Sequence, residues 1–214
     1  MTTITAFDVR KEYKQLYNPS AGTVSLVDVP AMNFLMIDGR GDPNTAQEYR
    51  EALEALYAVS YTVKFMLKRG SAALEYTVMP LEGLWWAEDL EAFRSTRKED
   101  WQWTSMIMQP PFVTQALGEE AIRQVAAKKN PPALAKLRFA SFHEGTAAQI
   151  LYIGPFSAEG PTIERVHHFI EENGYARTGK HHEIYLSDPR RTAPDRLKTV
   201  IRQPFAAIAA LPAR

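Results

Sequence analysis

The chain has 214 residues, carries 25 Lys and Arg against 25 Asp and Glu, and contains no cysteine. The lack of cysteine excludes disulfides, thiolate zinc sites and a cysteine nucleophile, and the balanced charge argues against a nucleic-acid binder, which usually has a basic face. The sequence contains no run of about 18 apolar residues that could span a membrane, and the N-terminus lacks the pattern of a signal peptide. We therefore expect a cytoplasmic protein that uses no cofactor, no nucleic acid and no membrane.

The first half of the chain alternates strand and helix signals. Turn residues, helical periodicity and apolar alternation mark the boundaries. In chain order we predict an amphipathic lead-in over 7–17, a strand over 25–37 broken at Pro30, a helix over 45–69, and strands over 74–86 and 101–113 separated by a charged loop over 88–100.

The second half repeats this order after a linking helix. Pro161 is placed at the first helical position, where its missing N–H costs nothing. The predicted elements are the linking helix over 118–129, a short edge strand over 137–142, a strand over 148–154, a helix from Gly160 to Asn173, and strands over 181–187 and 198–205.

The two halves match in detail at the ends of their last strands. Residues 106–110 read MIMQP and residues 200–204 read VIRQP. An internal repeat of this size predicts the architecture: an α+β fold with tandem strand–helix–strand–strand repeats related by a pseudo-two-fold axis. We expect a curved antiparallel sheet with both helices on one face and a ligand groove between the repeats. The predicted organisation is one domain over 1–214, with repeats at about 24–113 and 137–205 joined by a segment at about 114–130.

The strand over 181–187 contains an unusual charged residue. Side chains alternate along a strand, so His181, Glu183 and Tyr185 share one face. The other face carries His182 and the apolar pair Ile184 and Leu186. Assigning the apolar pair to the helix-covered face puts Glu183 on the open face, as a partly desolvated carboxylate that could act as a base. The alternative is a solvated carboxylate on an exposed sheet face, since charged residues are mostly exposed.

A metal site at this strand is not predicted. His181 and Glu183, with His143, could share a metal ion, but no third ligand stands at a recognisable spacing.

All four tryptophans lie in the first repeat. Trp85 and Trp86 point to opposite faces, whereas Trp101 and Trp103 share one. We expect one of the adjacent pair to be buried and the other open. Tryptophans on an open face would form a stacking wall for a planar ligand; ordinary core packing is the alternative. Tyr152 is either a core tyrosine or a hydrogen-bond donor in the pocket.

Several motifs together resemble the GyrI-like small-molecule-binding proteins. The motifs are LYNP at 16–19, VDVP at 27–30, MIDGRGDPN at 36–44, GPF at 154–156, PTI at 161–163, ENGY at 172–175 and HHEIYLSDPRR at 181–191. The resemblance covers nearly the whole chain. It implies the duplicated fold, and relatives that include drug-binding effector domains with a central glutamate, which matches Glu183. Some stand-alone members hydrolyse cyclopropanoid DNA-alkylating toxins.

The resemblance implies a function and a set of site residues. We expect hydrolysis of a cyclopropanoid genotoxin for detoxification, with an aromatic small molecule as the ligand and a monomer as the acting species. The alternative is a protein that sequesters drugs or modulates gyrase without turnover. The expected catalytic residues are Glu183 and Tyr152, and the expected ligand-binding residues are Trp86, Trp103, Tyr185 and His181. The first repeat offers no carboxylate that clearly corresponds to Glu183, so we expect an asymmetric site.

Overall fold

The computed structural model describes residues 5–70, 73–87 and 98–208. In chain order the helices and strands are β1 (Thr5–Phe7), α1 (Val9–Glu12), α2 (Lys14–Tyr17), β2 (Ser25–Val29), β3 (Met32–Arg40), α3 (Gln47–Arg69), β4 (Leu74–Tyr76), β5 (Leu81–Trp86), β6 (Gln102–Gln109), α4 (Gln115–Lys128), β7 (Arg138–Phe142), β8 (Gly145–Ile153), α5 (Gly160–Glu172), β9 (Tyr175–Arg177), β10 (His181–Tyr185) and β11 (Lys198–Ala207). None of the helices in these ranges is long and apolar enough to cross a membrane.

These elements build two compact units, each assembled from two separate segments of the chain. Among the described residues, the first unit comprises 5–12 and 32–142, and the second comprises 13–31 and 143–208.

In the first unit, four strands pair antiparallel in the order β5, β6, β3, β7. The long helix α3 packs against β3 and β6, and α4 packs against α3. The buried face of α3 carries small and branched apolar side chains at helical spacing. This apolar stripe lets the helix pack against the sheet. These residues are Ala52, Ala55, Leu56, Val59 and Val63.

In the second unit, four strands pair antiparallel in the order β10, β11, β8, β2. Helix α5 packs against β8 and β11. Its core residues Val166 and Ile170 join Ile150 and Ile201 from the two strands in one buried cluster. The short strand β9 pairs with the end of β11.

The α+β class and the repeated order of strand, helix, strand and strand are confirmed. The elements β3, α3, β5 and β6 in the first unit have the same order and antiparallel pairing as β8, α5, β10 and β11 in the second.

The boundaries of the repeats differ from the predicted ones. The outer strand of each unit lies just before the other unit's first long strand in the sequence. Strand β2, which we assigned to the first repeat, pairs with β8 in the second unit. Strand β7, which we assigned to the second repeat, pairs with β3 in the first. Pro30 allows the first exchange, since it lacks an N–H and interrupts the predicted strand over 25–37.

Other predicted boundaries change by smaller amounts. The predicted strand over 74–86 is two strands, and the first of them, β4, pairs in parallel with β1. The linking helix α4 begins earlier than predicted, because the Thr114 side chain accepts a hydrogen bond from the Leu117 N–H and caps its first turn. Residues 88–97 of the predicted charged loop lie outside the described residues.

Candidate functional site

Strand β10 places three polar side chains on one face, and they are joined through Glu183. His181 Nε2 lies 3.2 Å from Glu183 Oε1. The hydroxyl of Tyr185 donates a hydrogen bond of 2.8 Å to Glu183 Oε2. His181 acts as the donor in this contact in the tautomer that carries its proton on Nε2. Both carboxylate oxygens are therefore held by neighbours on the same strand.

The carboxylate of Glu183 is largely removed from solvent. Its side chain is 11% exposed, and that of His181 is 4% exposed. A carboxylate offers about four lone-pair positions, so Glu183 can still accept a hydrogen bond from a water or a ligand after these two contacts. This arrangement agrees with the expected desolvated carboxylate and not with a freely solvated one.

The face on which Glu183 lies differs from our expectation. Glu183 pairs across the strands with Ile201, and Ile201 packs against helix α5. Paired side chains of antiparallel strands point to the same face, so Glu183 shares the face that α5 covers, whereas Ile184 points the other way. The polar and apolar alternation could not decide this, because Ile184 is buried as well, on the reverse face.

The turn after β8 lies against this group of side chains. Phe156 packs edge-to-face on Tyr185, with 5.6 Å between ring centroids and 84° between ring planes. Phe156 is 38% exposed. This aromatic residue was not among the expected site residues, although its GPF motif was noted.

Tyr152 is not joined to Glu183. Its hydroxyl donates to the Pro155 carbonyl at 2.9 Å. Tyr152 and Tyr185 both pair with Thr199 on β11, so two strand spacings of about 4.8 Å separate their backbones. This contact holds the turn after β8, and the expected catalytic role of Tyr152 stays a prediction. Burial, with the charge of Glu159, raises the pKa of its hydroxyl.

The reverse face of β10 carries a buried ionic network that the sequence did not reveal. His182 Nδ1 donates to Glu144 at 2.9 Å, and Arg202 Nη1 donates to the same carboxylate at 3.0 Å. Arg202 also donates to Gln149 Oε1 at 3.0 Å and to the Leu16 carbonyl at 2.8 Å. The network thereby fixes α2 to the strands of the second unit.

The Glu144 carboxylate is ionised within this network. Burial alone would raise the pKa of Glu144, but the charges and hydrogen bonds of His182 and Arg202 outweigh burial and lower the pKa to about 2. The carboxylate therefore remains charged at neutral pH.

The tryptophans belong to the first unit, and they divide between core and surface. Trp85 is buried and Trp86 is half-buried, as expected of an adjacent pair. Trp103 is 0% exposed; its ring packs edge-to-face on Tyr49 of α3 at 5.1 Å and covers Gly39, where even a Cβ would clash with it. The expected ligand contact of Trp103 is corrected to core packing. The role of Trp86 stays a prediction.

The described residues contain no group of three or more His, Asp or Glu side chains that could hold a metal ion. His143, which the sequence pattern offered as a possible metal ligand with His181, is exposed.

A family model described as the GyrI-like small molecule binding domain matches residues 22–205. Two solved structures from Listeria innocua are similar over nearly all of this chain. An uncharacterized conserved protein is 39% identical, with a TM-score of 0.84, and covers 95% of this chain and 100% of its own. A protein named a hydrolase is 38% identical, with a TM-score of 0.80 and the same coverage.

A more distant structure shows only that the fold is shared. The C-terminal domain of EcmrR is 10% identical, with a TM-score of 0.53, and the match covers 87% of this chain and 98% of that domain. No curated protein matches the chain.

Proposed function

Because the chain belongs to the GyrI-like small-molecule-binding family, we propose that it binds planar hydrophobic or weakly cationic molecules beside Glu183 and hydrolyses cyclopropanoid electrophiles. The observation that carries this proposal is the buried Glu183 carboxylate, which His181 and Tyr185 hold from its two oxygens. The partly exposed Phe156 ring packs on Tyr185 and adds aromatic surface next to this carboxylate. The name of the Listeria innocua hydrolase, 38% identical to this chain, supports the enzymatic reading.

The proposed reaction is the addition of water to a cyclopropane conjugated to a dienone. Glu183 accepts a proton from the water as the water oxygen attacks a cyclopropane carbon. The breaking carbon–carbon bond sends its electron pair into the dienone, whose carbonyl oxygen becomes a phenolate and then takes up a proton. A positioned general base contributes about 10²–10⁴-fold to the rate of such a step.

His181 and Tyr185 have a positioning role in this scheme. Their hydrogen bonds fix both oxygens of Glu183, so the remaining lone pairs point in set directions toward an incoming water. Reactant alignment of this kind is one of the larger sources of rate enhancement. Tyr185 is thus a tyrosine that contacts Glu183 directly.

A second function, binding without turnover, has an observation in its favour. The same two hydrogen bonds would hold Glu183 as a fixed anionic anchor for a cationic ring system, with nearby aromatic faces adding cation–π attraction. Such a protein would sequester drugs.

Product analysis separates the two functions. The protein is incubated with a compound that carries a cyclopropane conjugated to a dienone, and the water adduct is followed by chromatography. We expect saturable formation of the adduct, and an unchanged rate in Glu164→Gln, which alters an exposed carboxylate on α5. Adduct formation no faster than in buffer, together with saturable binding of the compound, would leave only the binding function.

A further inference from the structure

We propose that Phe156 is a ligand-contact residue of this site and that Tyr152 holds the turn that presents it. The inference rests on the proposed function, in that it assumes a planar ligand beside Glu183. It starts from the turn between β8 and α5, where Gly154, Pro155 and Phe156 follow one another.

The turn has an unusual backbone that its first residue makes possible. Gly154 has a φ of 151°, a region that favours glycine. A Cβ at Gly154 would lie 2.5 Å from the Tyr152 hydroxyl oxygen. The absence of a side chain therefore lets the Tyr152 ring fold back over the turn.

The Tyr152 hydroxyl then fixes the turn from inside. It donates a hydrogen bond of 2.9 Å to the carbonyl of Pro155, the residue directly before Phe156. The Tyr152 pKa is raised by burial and by Glu159, so the hydroxyl keeps its proton and remains a donor at neutral pH. Tyr152 is in this way a positioning residue that acts through Phe156.

The Phe156 ring continues the site outward from Glu183. A line of contacts runs from Glu183 to the Tyr185 hydroxyl and from the Tyr185 ring to Phe156. Exposure rises along it, since Glu183 is buried, Tyr185 is half-buried and Phe156 is exposed. The two rings stand at 84° and form a corner with two aromatic surfaces.

The shape of this corner selects a class of ligand. A flat aromatic molecule can stack, offset, on one ring of a perpendicular pair while its edge meets the face of the other, and both are favoured geometries. A non-planar aliphatic molecule of similar size gains neither contact. The expected ligand is therefore a fused aromatic system that reaches Glu183 with its inner end and Phe156 with its outer end.

Binding of rhodamine 6G, followed by fluorescence anisotropy, tests the inference. We expect Phe156→Ala to raise the Kd roughly threefold to tenfold, the worth of one aromatic contact, and Phe156→Tyr to bind as the parent does. Tyr152→Phe keeps the ring but loses the hydroxyl, and we expect a smaller rise of Kd in the same direction. Tyr175→Ala, a change of another exposed aromatic residue in this unit, should leave the Kd unchanged.

The outcomes distinguish this inference from the proposed function. If the parent binds the dye and Phe156→Ala binds it equally well, the inference is overturned and the proposed function stands. If Tyr152→Phe matches the parent while Phe156→Ala weakens binding, the positioning role of Tyr152 is overturned. A parent protein that binds no planar dye contradicts the proposed function itself. Circular dichroism of each variant establishes that it is folded. We expect Phe156→Ala to fold, because the Phe156 side chain is exposed.

Discussion

Neighbouring side chains determine the roles of the ionisable residues in the second unit. Glu183 and Glu144 are both carboxylates withdrawn from solvent, yet they have different partners. Glu183 is held by two groups from its own strand and lies next to a partly exposed aromatic turn. Glu144 is enclosed by His182 and Arg202. The first arrangement leaves lone pairs of the carboxylate for a further hydrogen bond, whereas the second joins three strand-end and strand side chains in one ionic network.

The network of Glu144 predicts a dependence of stability on pH. The pKa of Glu144 falls from 4.5 to about 2 on folding, so the ionised carboxylate stabilises the fold at pH values above 4.5. This contribution is lost as the pH falls through the window between the two values. We expect the parent to be more stable than Glu144→Gln at neutral pH, and the difference to shrink toward about pH 2.

Guanidinium denaturation across this pH range measures the effect. Glu164→Gln serves as the control, because Glu164 is exposed on a helix, and it should stay close to the parent at every pH. A constant difference between the parent and Glu144→Gln would show that Glu144 does not gain its stabilisation from ionisation.

Sequence reasoning identified one of these two carboxylates and missed the other for a physical reason. The residues around Glu183 are two apart on one strand, so alternation alone brings them together. Glu144 stands 38 residues from His182 and 58 from Arg202, and only strand pairing unites them. Trp103 shows a different failure, since alternation placed it on the same face as Trp101 but could not show that α3 covers that face.

Strands β2 and β7 show how far local patterns define an architecture. Periodicity and turn residues located nearly every element, and the matched ends of the two repeats gave the order of strands within each unit. The same patterns cannot reveal the partner of an outer strand. Neighbours in sequence usually pair, but β2 pairs with β8 and not with the adjacent β3.

The pairing of β2 in the second unit and β7 in the first predicts a pattern of amide hydrogen exchange. Ile170→Ala removes a fully buried side chain of α5, and Leu56→Ala removes one of α3; each costs about 2–5 kcal/mol. Destabilising a unit accelerates exchange in the strands that open with it. We expect faster exchange in β2 for the first variant and in β7 for the second. Faster exchange in β2 for Leu56→Ala, with no change for Ile170→Ala, would contradict the observed pairing.

The chain combines a repeated fold with different side chains in the described parts of its two units. The first repeat has tryptophan and tyrosine rings packed under α3, and the second has the Glu183 group and the Phe156 turn. Membership of the GyrI-like family explains the fold and the binding of small molecules. The hydrolysis proposed above depends on Glu183 of the second unit acting as a base.

The central claim is that Glu183 is the base of a ligand-binding site, and one variant tests it most directly. Turnover of the cyclopropanoid compound and affinity for it are measured on Glu183→Gln, with Glu164→Gln as the control. The amide keeps the shape of the side chain, so we predict that the Kd for a neutral planar ligand stays near that of the parent. Turnover should fall by about 10²–10⁴-fold. Hydrolysis by Glu183→Gln at the parent rate, or an equal loss of binding and turnover, would contradict the claim.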